Sequence, residues 1–161
     1  MKTLYIKQKV FKITDHYPIL DEQQRTVYEV NQDLKFFGNT VHVSDANGIE
    51  RFVVDKEIFT FLPRFVVRFS SGQEVILRSR MEFFKKKIDI EQDGPALYLE
   101  GDWLDFDFTV YRDSEAIGKI SREFLAWGDT YQMAIYEPQY EELVVALTIA
   151  VDCIKDDQQR N

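Results

Sequence analysis

The segment from Leu143 to Val151 constrains the fold most, because Thr148 is its only polar residue. Pro138 suits the first turn of a helix that contains this segment. The pair Glu141–Glu142 lies at the positive end of the helix dipole, and Lys155 lies near the negative end. These features predict a C-terminal helix that is apolar on all sides.

Such a helix has to be buried on all sides. Its apolar core is far shorter than the ~20 residues that a conventional transmembrane helix needs. Burial of its six Leu, Ile and Val side chains contributes on the order of 10 kcal/mol before the entropy of ordering is counted. We therefore expect the rest of the protein to enclose the helix.

The rest of the chain has the period-two alternation that is typical of half-buried strands. In one such run Val75, Leu77, Met81 and Phe83 share a side, and in another Leu104, Phe106, Phe108 and Val110 do. Turn-forming stretches at short intervals indicate antiparallel hairpins. We predict strands over 4–14, 25–30, 34–44, 50–55, 64–70, 74–84, 88–91, 96–100, 103–111, 116–123 and 131–136.

A sheet that surrounds a helix predicts a mainly β fold. An eight-stranded barrel is filled by its own side chains, so a barrel that holds a helix needs more strands. The pattern predicts an antiparallel β-barrel of about twelve strands around a central hydrophobic C-terminal helix. At 161 residues the chain has the size of one domain, which we place at residues 1–155, with a disordered polar tail at 156–161.

The net charge of −8 argues against a general nucleic-acid-binding protein, which needs a surplus of Lys and Arg. Lysines interrupt the N-terminal apolar residues, so no secretion signal is visible. Cys153 is the only cysteine, which excludes an internal disulfide and a multi-cysteine metal site. We therefore expect a cytoplasmic protein.

Several stretches resemble the bacterial branch of the LURP-one-related family, within the tubby C-terminal-like superfamily. They are "YIKQKVFKI", "VHVSDANG", "FLPRFVV", "EGDWLDFDFTV", "IGKISREFLAWGDTYQMAI" and "LVVALTIAVDCI". The resemblance covers almost the whole chain and implies a twelve-stranded barrel around a central C-terminal helix. Related branches bind phosphoinositides or associate with membranes, but no functional residue of theirs matches a position here.

The basic stretch from Arg64 to Lys87 has a net charge of +5, so the rest of the chain carries −13. Arg68, Arg78 and Arg80 fall on the outward side of two strands joined by the turn "SSGQ". Such a cluster attracts anionic headgroups at about 1 kcal/mol per charge near a membrane surface. These three arginines are our candidate anionic-lipid site, although the simpler interpretation is a solvated outer face.

Other polar groups are weaker candidates. Asp105 and Asp107 are predicted to share a sheet face next to Asp102, but they lack a nearby histidine or calcium loop. His16 and His42 have no partner at a recognisable spacing, and Cys153 has no activating neighbour except Lys155. Trp127 is predicted to plug the end of the barrel, with a ligand-accepting mouth as the alternative.

No Walker loop, dinucleotide fingerprint, nucleophile elbow or zinc spacing occurs in the sequence. We therefore predict a protein without catalytic residues, metal or cofactor. The leading hypothesis is a non-enzymatic barrel that binds phospholipid headgroups or an anionic membrane surface. The alternative is a protein-interaction or stress-associated scaffold with no lipid ligand.

Overall fold

Twelve β-strands and one long helix make up the part of the chain that the structure describes. The structure is a computed structural model that describes residues 1–7, 15–35, 38–57, 64–78 and 86–160. The strands are β1 (Lys2–Lys7), β2 (His16–Leu20), β3 (Thr26–Lys35), β4 (Gly38–Asp45), β5 (Glu50–Glu57), β6 (Arg64–Phe69), β7 (Glu74–Arg78), β8 (Lys87–Ile90), β9 (Leu97–Asp102), β10 (Asp107–Arg112), β11 (Glu115–Leu125) and β12 (Gly128–Ile135). A 3-10 turn covers Trp103–Asp105, another covers Pro138–Tyr140, and helix α1 covers Glu141–Arg160.

The strands form a single antiparallel sheet that curls into a nearly closed barrel, as the sequence predicts. Its spatial order is β7-β6-β5-β4-β3-β2-β1-β12-β11-β10-β9-β8. Strands that are adjacent in this order are also consecutive in sequence, except for β1 and β12. Strands β7 and β8 meet at a seam. Within the described ranges, this seam has one bridge, in which Ile76 and Glu91 exchange backbone hydrogen bonds of 2.9 and 3.0 Å.

Helix α1 runs through the middle of the barrel, which confirms the prediction of a buried terminal helix. Every side chain from Val144 to Val151 is buried, and so is Ile154. The hydroxyl of Thr148 donates a 2.8 Å hydrogen bond to the carbonyl of Val144, so the one polar group of the apolar segment is satisfied inside the helix. The inward side chains of the strands complete the core around α1.

The helix defines two ends of the barrel. At the lower end, where α1 begins, Glu141 contacts Lys2 of β1 and Tyr28 of β3. At the upper end, Asp157 pairs with Lys56 of β5. The tip of the β11–β12 hairpin and the Trp103–Asp105 turn also lie at the upper end, because successive antiparallel strands alternate in direction.

Several predicted boundaries differ from the structure. The run predicted as strand 34–44 is divided between β3 and β4, and β2 was not predicted at all. Pro18 lies inside β2, where its missing N–H is tolerated because, within the described residues, β2 pairs with β1 only at Leu20 and Tyr5. The strand predicted from residue 103 begins with the 3-10 turn instead, and Met81 and Phe83 lie outside the described residues.

The helix also runs further than predicted. It continues to Arg160, whereas residues 156–161 were expected to form a disordered tail. Neither glycine nor proline occurs between Val151 and Arg160 to end the helix. The ion pair between Asp157 and Lys56 attaches this last part of the helix to β5.

Candidate functional site

Two of the three candidate arginines lie on the outer face of the barrel, as predicted. Phe65, Val67 and Phe69 of β6 point into the core, as do Val75 and Leu77 of β7. The alternation of a strand therefore turns Arg68 and Arg78 outward. Their side chains are 43% and 46% exposed, respectively. Arg80, the third candidate, lies outside the described residues.

Arg68 is surrounded by carboxylates. Its Nη1 donates to Asp55 at 2.7 Å, its Nη2 to Glu57 at 2.9 Å and its Nε to Glu74 at 3.1 Å. Partial burial lowers the pKa of Arg68, but these partners, Glu57 first, outweigh that effect and raise its pKa above the ordinary value. The guanidinium is thus neutralised by an excess of negative charge on the neighbouring strands.

Arg64, which was not among the predicted site residues, belongs to the same network. Its Nε donates a 2.6 Å hydrogen bond to Glu57, whose other oxygen accepts from Arg68. The bond from Arg64 is the main reason that the pKa of Glu57 is lowered. The network therefore links β5 to β6 across the outer face.

Arg78 lies at the seam of the barrel. Its Nε and Nη2 approach Glu91 at 3.2 to 3.3 Å, next to the Ile76–Glu91 bridge. These contacts are long and solvent-exposed, so we expect them to contribute about 0 to 1 kcal/mol to stability. Arg78 is therefore held less firmly than Arg68.

The two histidines are surface residues in ion-pairing positions. His16 lies 2.5 Å from Asn31 and 3.3 Å from Glu29. His42 lies 2.8 Å from Glu50 and 3.4 Å from Asp33. The described part of the chain contains no group of three His, Cys, Asp or Glu side chains that could hold a metal ion.

The aspartates near Trp103 do not form the pair on one sheet face that the alternation predicted. Asp105 belongs to the 3-10 turn, whereas Asp107 begins β10 and pairs with Lys119 at 3.2 Å. The turn places Trp103, not Leu104, fully in the core. Phe106 ends the turn in a left-handed conformation with φ of 54°, and from Phe106 onward the predicted inward residues Phe106, Phe108 and Val110 are buried.

Cys153 packs against the core as a free thiol. Burial raises the pKa of this thiol well above its ordinary value, and Asp152 acts in the same direction. A thiol in this environment stays protonated and is a poor nucleophile. This agrees with the expectation that Cys153 has a packing role.

Trp127 does not plug the barrel. It lies in the two-residue loop between β11 and β12 and contacts Tyr5 edge-on, with a centroid distance of 5.1 Å. The Nζ of Lys7 lies 5.8 Å from its ring centre. Since Tyr5 and Lys7 alternate with the buried Leu4 and Ile6, Trp127 packs on the outer wall of β1.

A polar cleft at the lower end was not predicted from the sequence. It has a volume of about 470 Å³ and is lined by Val27, Tyr28, Asp45, Arg51, Pro138, Gln139, Glu141 and Glu142. Arg51 donates to Glu142 at 2.5 Å, and Tyr28 donates to Glu141 at 2.5 Å. These partners are about a hundred residues apart in the chain, so no local pattern indicates the contacts.

Comparisons with known proteins agree with this architecture. A model of the family described as LURP-one-related matches residues 2–152. The chain belongs to the LURP-one-related family. A Bacillus subtilis relative, the uncharacterized protein YxjI, is 23% identical over 155 residues, which cover 96% of this chain and 94% of that protein.

A similar fold is also seen in an X-ray structure of an Arabidopsis thaliana protein. The two chains superpose with a TM-score of 0.61 at 13% identity, covering 94% of this chain and 90% of the other. At this identity the likeness shows the fold alone. Within the described residues, no helix is long and apolar enough to span a membrane.

Proposed function

We propose that this LURP-one-related protein is a non-enzymatic, cytoplasmic binding module for phospholipid headgroups or an anionic membrane surface. The observation that supports the proposal is the shared outward position of Arg68 and Arg78 on adjacent strands of an otherwise acidic chain. Arg80 is the next outward position on the predicted strand. The single cysteine suits a reducing compartment.

The carboxylates around these arginines set the conditions for binding. A headgroup has to replace some of the contacts with Asp55, Glu57, Glu74 or Glu91. Exposed ion pairs contribute only about 0 to 1 kcal/mol, so their exchange for phosphate costs little. We therefore expect weak, salt-sensitive binding, because each cationic side chain adds about 1 kcal/mol near an anionic surface.

Flotation with anionic liposomes tests this function. The wild type is expected to float with vesicles, and the triple variant Arg68→Ala, Arg78→Ala, Arg80→Ala is expected to remain at the bottom. Lys119→Ala serves as control, because Lys119 is an ion-paired cation on the distant strand β11. Equal flotation of wild type and triple variant contradicts the proposal.

A protein-interaction scaffold is the second candidate, favoured by a different observation. Phe124, next to the β11–β12 hairpin tip, is 82% exposed. A pull-down from native cytosol is expected to yield one stoichiometric protein partner, and Phe124→Ser is expected to lose it. Retention of the partner by the variant argues against this contact.

A further inference from the structure

We propose that Arg64 and Arg78 together form a binding site for a phosphate monoester, an inference that rests on the proposed anion-binding function. The two residues are direct register partners in the β6–β7 ladder. Both side chains point outward, because the next residue after Arg64, Phe65, and the residue before Arg78, Leu77, are buried. Two cationic side chains therefore extend side by side from the outer face of the barrel.

The hydrogen-bond pattern brings these stems close together. The N–H of Phe69 donates to Gln73 within the β6–β7 hairpin, whereas the N–H of Ile76 donates away from β6 to Glu91. Hydrogen-bonded and non-hydrogen-bonded pairs alternate along an antiparallel ladder, so Arg64 and Arg78 form a non-hydrogen-bonded pair. In such pairs the Cα atoms lie about 4.5 Å apart, and like charges directly opposite each other are destabilising.

The existing carboxylate contacts leave donors on both arginines. Arg64 donates to Glu57 through Nε, and Arg78 donates to Glu91 through Nε and Nη2. Among the described residues, no hydrogen bond is made by either Nη group of Arg64 or by Nη1 of Arg78. Arg68 differs, because each of its three nitrogens already donates to a carboxylate.

The pair favours a particular chemical class of anion. A phosphate monoester carries close to two negative charges at neutral pH and has three terminal oxygens, so it can accept from both guanidinium groups at once. A phosphate diester carries one charge and offers two such oxygens. Two adjacent guanidinium groups therefore favour a terminal phosphate, carried by a lipid headgroup or by a soluble ester.

Binding measurements with vesicles and with a soluble ester distinguish a lipid headgroup from a soluble phosphate monoester as the ligand. The probes are phosphatidic acid vesicles, phosphatidylglycerol vesicles adjusted to equal surface charge, and soluble glycerol 3-phosphate. The test variant is Arg64→Gln with Arg78→Gln. The matched control is Arg25→Gln with Lys119→Gln, which removes the same charge from two exposed positions elsewhere.

We expect wild type to prefer phosphatidic acid, and the test variant to bind it about tenfold or more weakly, which corresponds to one lost charge-assisted contact. The control variant should stay within about twofold of wild type, and thermal unfolding should show that both variants fold. Vesicle binding that does not depend on Arg64 and Arg78 overturns this inference but not lipid binding. Arginine-dependent binding of glycerol 3-phosphate without vesicle binding supports this site and overturns the lipid function. Absence of binding to every probe overturns both.

Discussion

Gly118 lies where the central helix meets the barrel wall. A Cβ added at this position of β11 would lie 2.7 Å from Cγ2 of Val144 and 3.2 Å from the carbonyl of Ala134. Both neighbours are packed in the wall or the core, so neither can move without strain. A small residue is therefore needed at this position.

We predict that Gly118→Ala destabilises the protein by about 1 to 3 kcal/mol through overpacking. Val144→Ala is expected to relieve the clash. The destabilisation of the double variant should therefore be smaller than the sum of the two single destabilisations by at least about 0.5 kcal/mol. Urea unfolding of the four proteins measures this coupling. Strict additivity would show that the helix does not approach the wall at Gly118.

Tyr28 connects the barrel to the first turn of the helix through its hydrogen bond to Glu141. Burial, followed by this hydrogen bond to a carboxylate, raises the pKa of Tyr28 far above its ordinary value. Above a pH of about 10 the unfolded chain releases the phenolic proton while the folded protein retains it. Folding stability is therefore lost as the pH rises through this range.

We predict that the free energy of unfolding of Tyr28→Phe decreases less steeply with pH than that of wild type between about pH 9 and pH 11, because one phenol with a raised pKa is removed. At neutral pH the variant is expected to lose about 1 to 2 kcal/mol with the hydrogen bond. Urea unfolding at a series of pH values gives both quantities. Parallel pH curves for the two proteins would be the contrary result.

At the scale of elements, the β11–β12 hairpin packs on the outside of the barrel. Gly128 begins β12 with φ of 106°, a conformation that permits the two-residue loop and that most side chains resist. Trp127 rests on Tyr5 and Lys7, whereas Trp103 is 2% exposed within the core. The two tryptophans thus have opposite environments.

We predict that Trp127→Ala costs about 0.5 to 1.5 kcal/mol, the range of an aromatic pair contact. Trp103→Ala is expected to cost about 3 to 5 kcal/mol, as for other large core residues. Acrylamide quenching of each remaining tryptophan checks the assignment, since only Trp127 should be readily quenched. An equal loss of stability in both variants would instead support the prediction that Trp127 plugs the end of the barrel.

At the scale of the whole molecule, closure of the barrel is uneven. Strands β11 and β12 share eight register pairs, whereas the seam between β7 and β8 has one bridge within the described chain. The long contacts between Arg78 and Glu91 lie on this seam. Local opening should therefore begin where the fewest backbone bonds have to break.

We predict that the amides of Ile76 and Glu91 exchange with solvent at least about tenfold faster than those of Ile120 and Met133, which lie in the continuous part of the sheet. Hydrogen exchange followed by NMR measures each amide under native conditions. Equal protection at all four positions would mean that the barrel opens only by global unfolding.

Much of the candidate site could be predicted because it depends on local alternation. The outward positions of Arg68 and Arg78 follow from the buried residues on either side of them. Their partners Asp55 and Glu91 could not be predicted, because they belong to strands whose register depends on turns and on closure. For the same reason Arg64 was not recognised as the register partner of Arg78.

By itself, the sequence determined that a β-rich chain must enclose the segment from Leu143 to Val151. A helix that is apolar on all sides is shielded from water only when other parts of the protein surround it. It also determined which side of most strands is buried. Only the tertiary structure decided how carboxylates neutralise Arg68, where Trp127 packs and where the barrel closes at Ile76 and Glu91. Hydrophobic burial depends on local periodicity, whereas ion pairs and closure depend on contacts between distant strands.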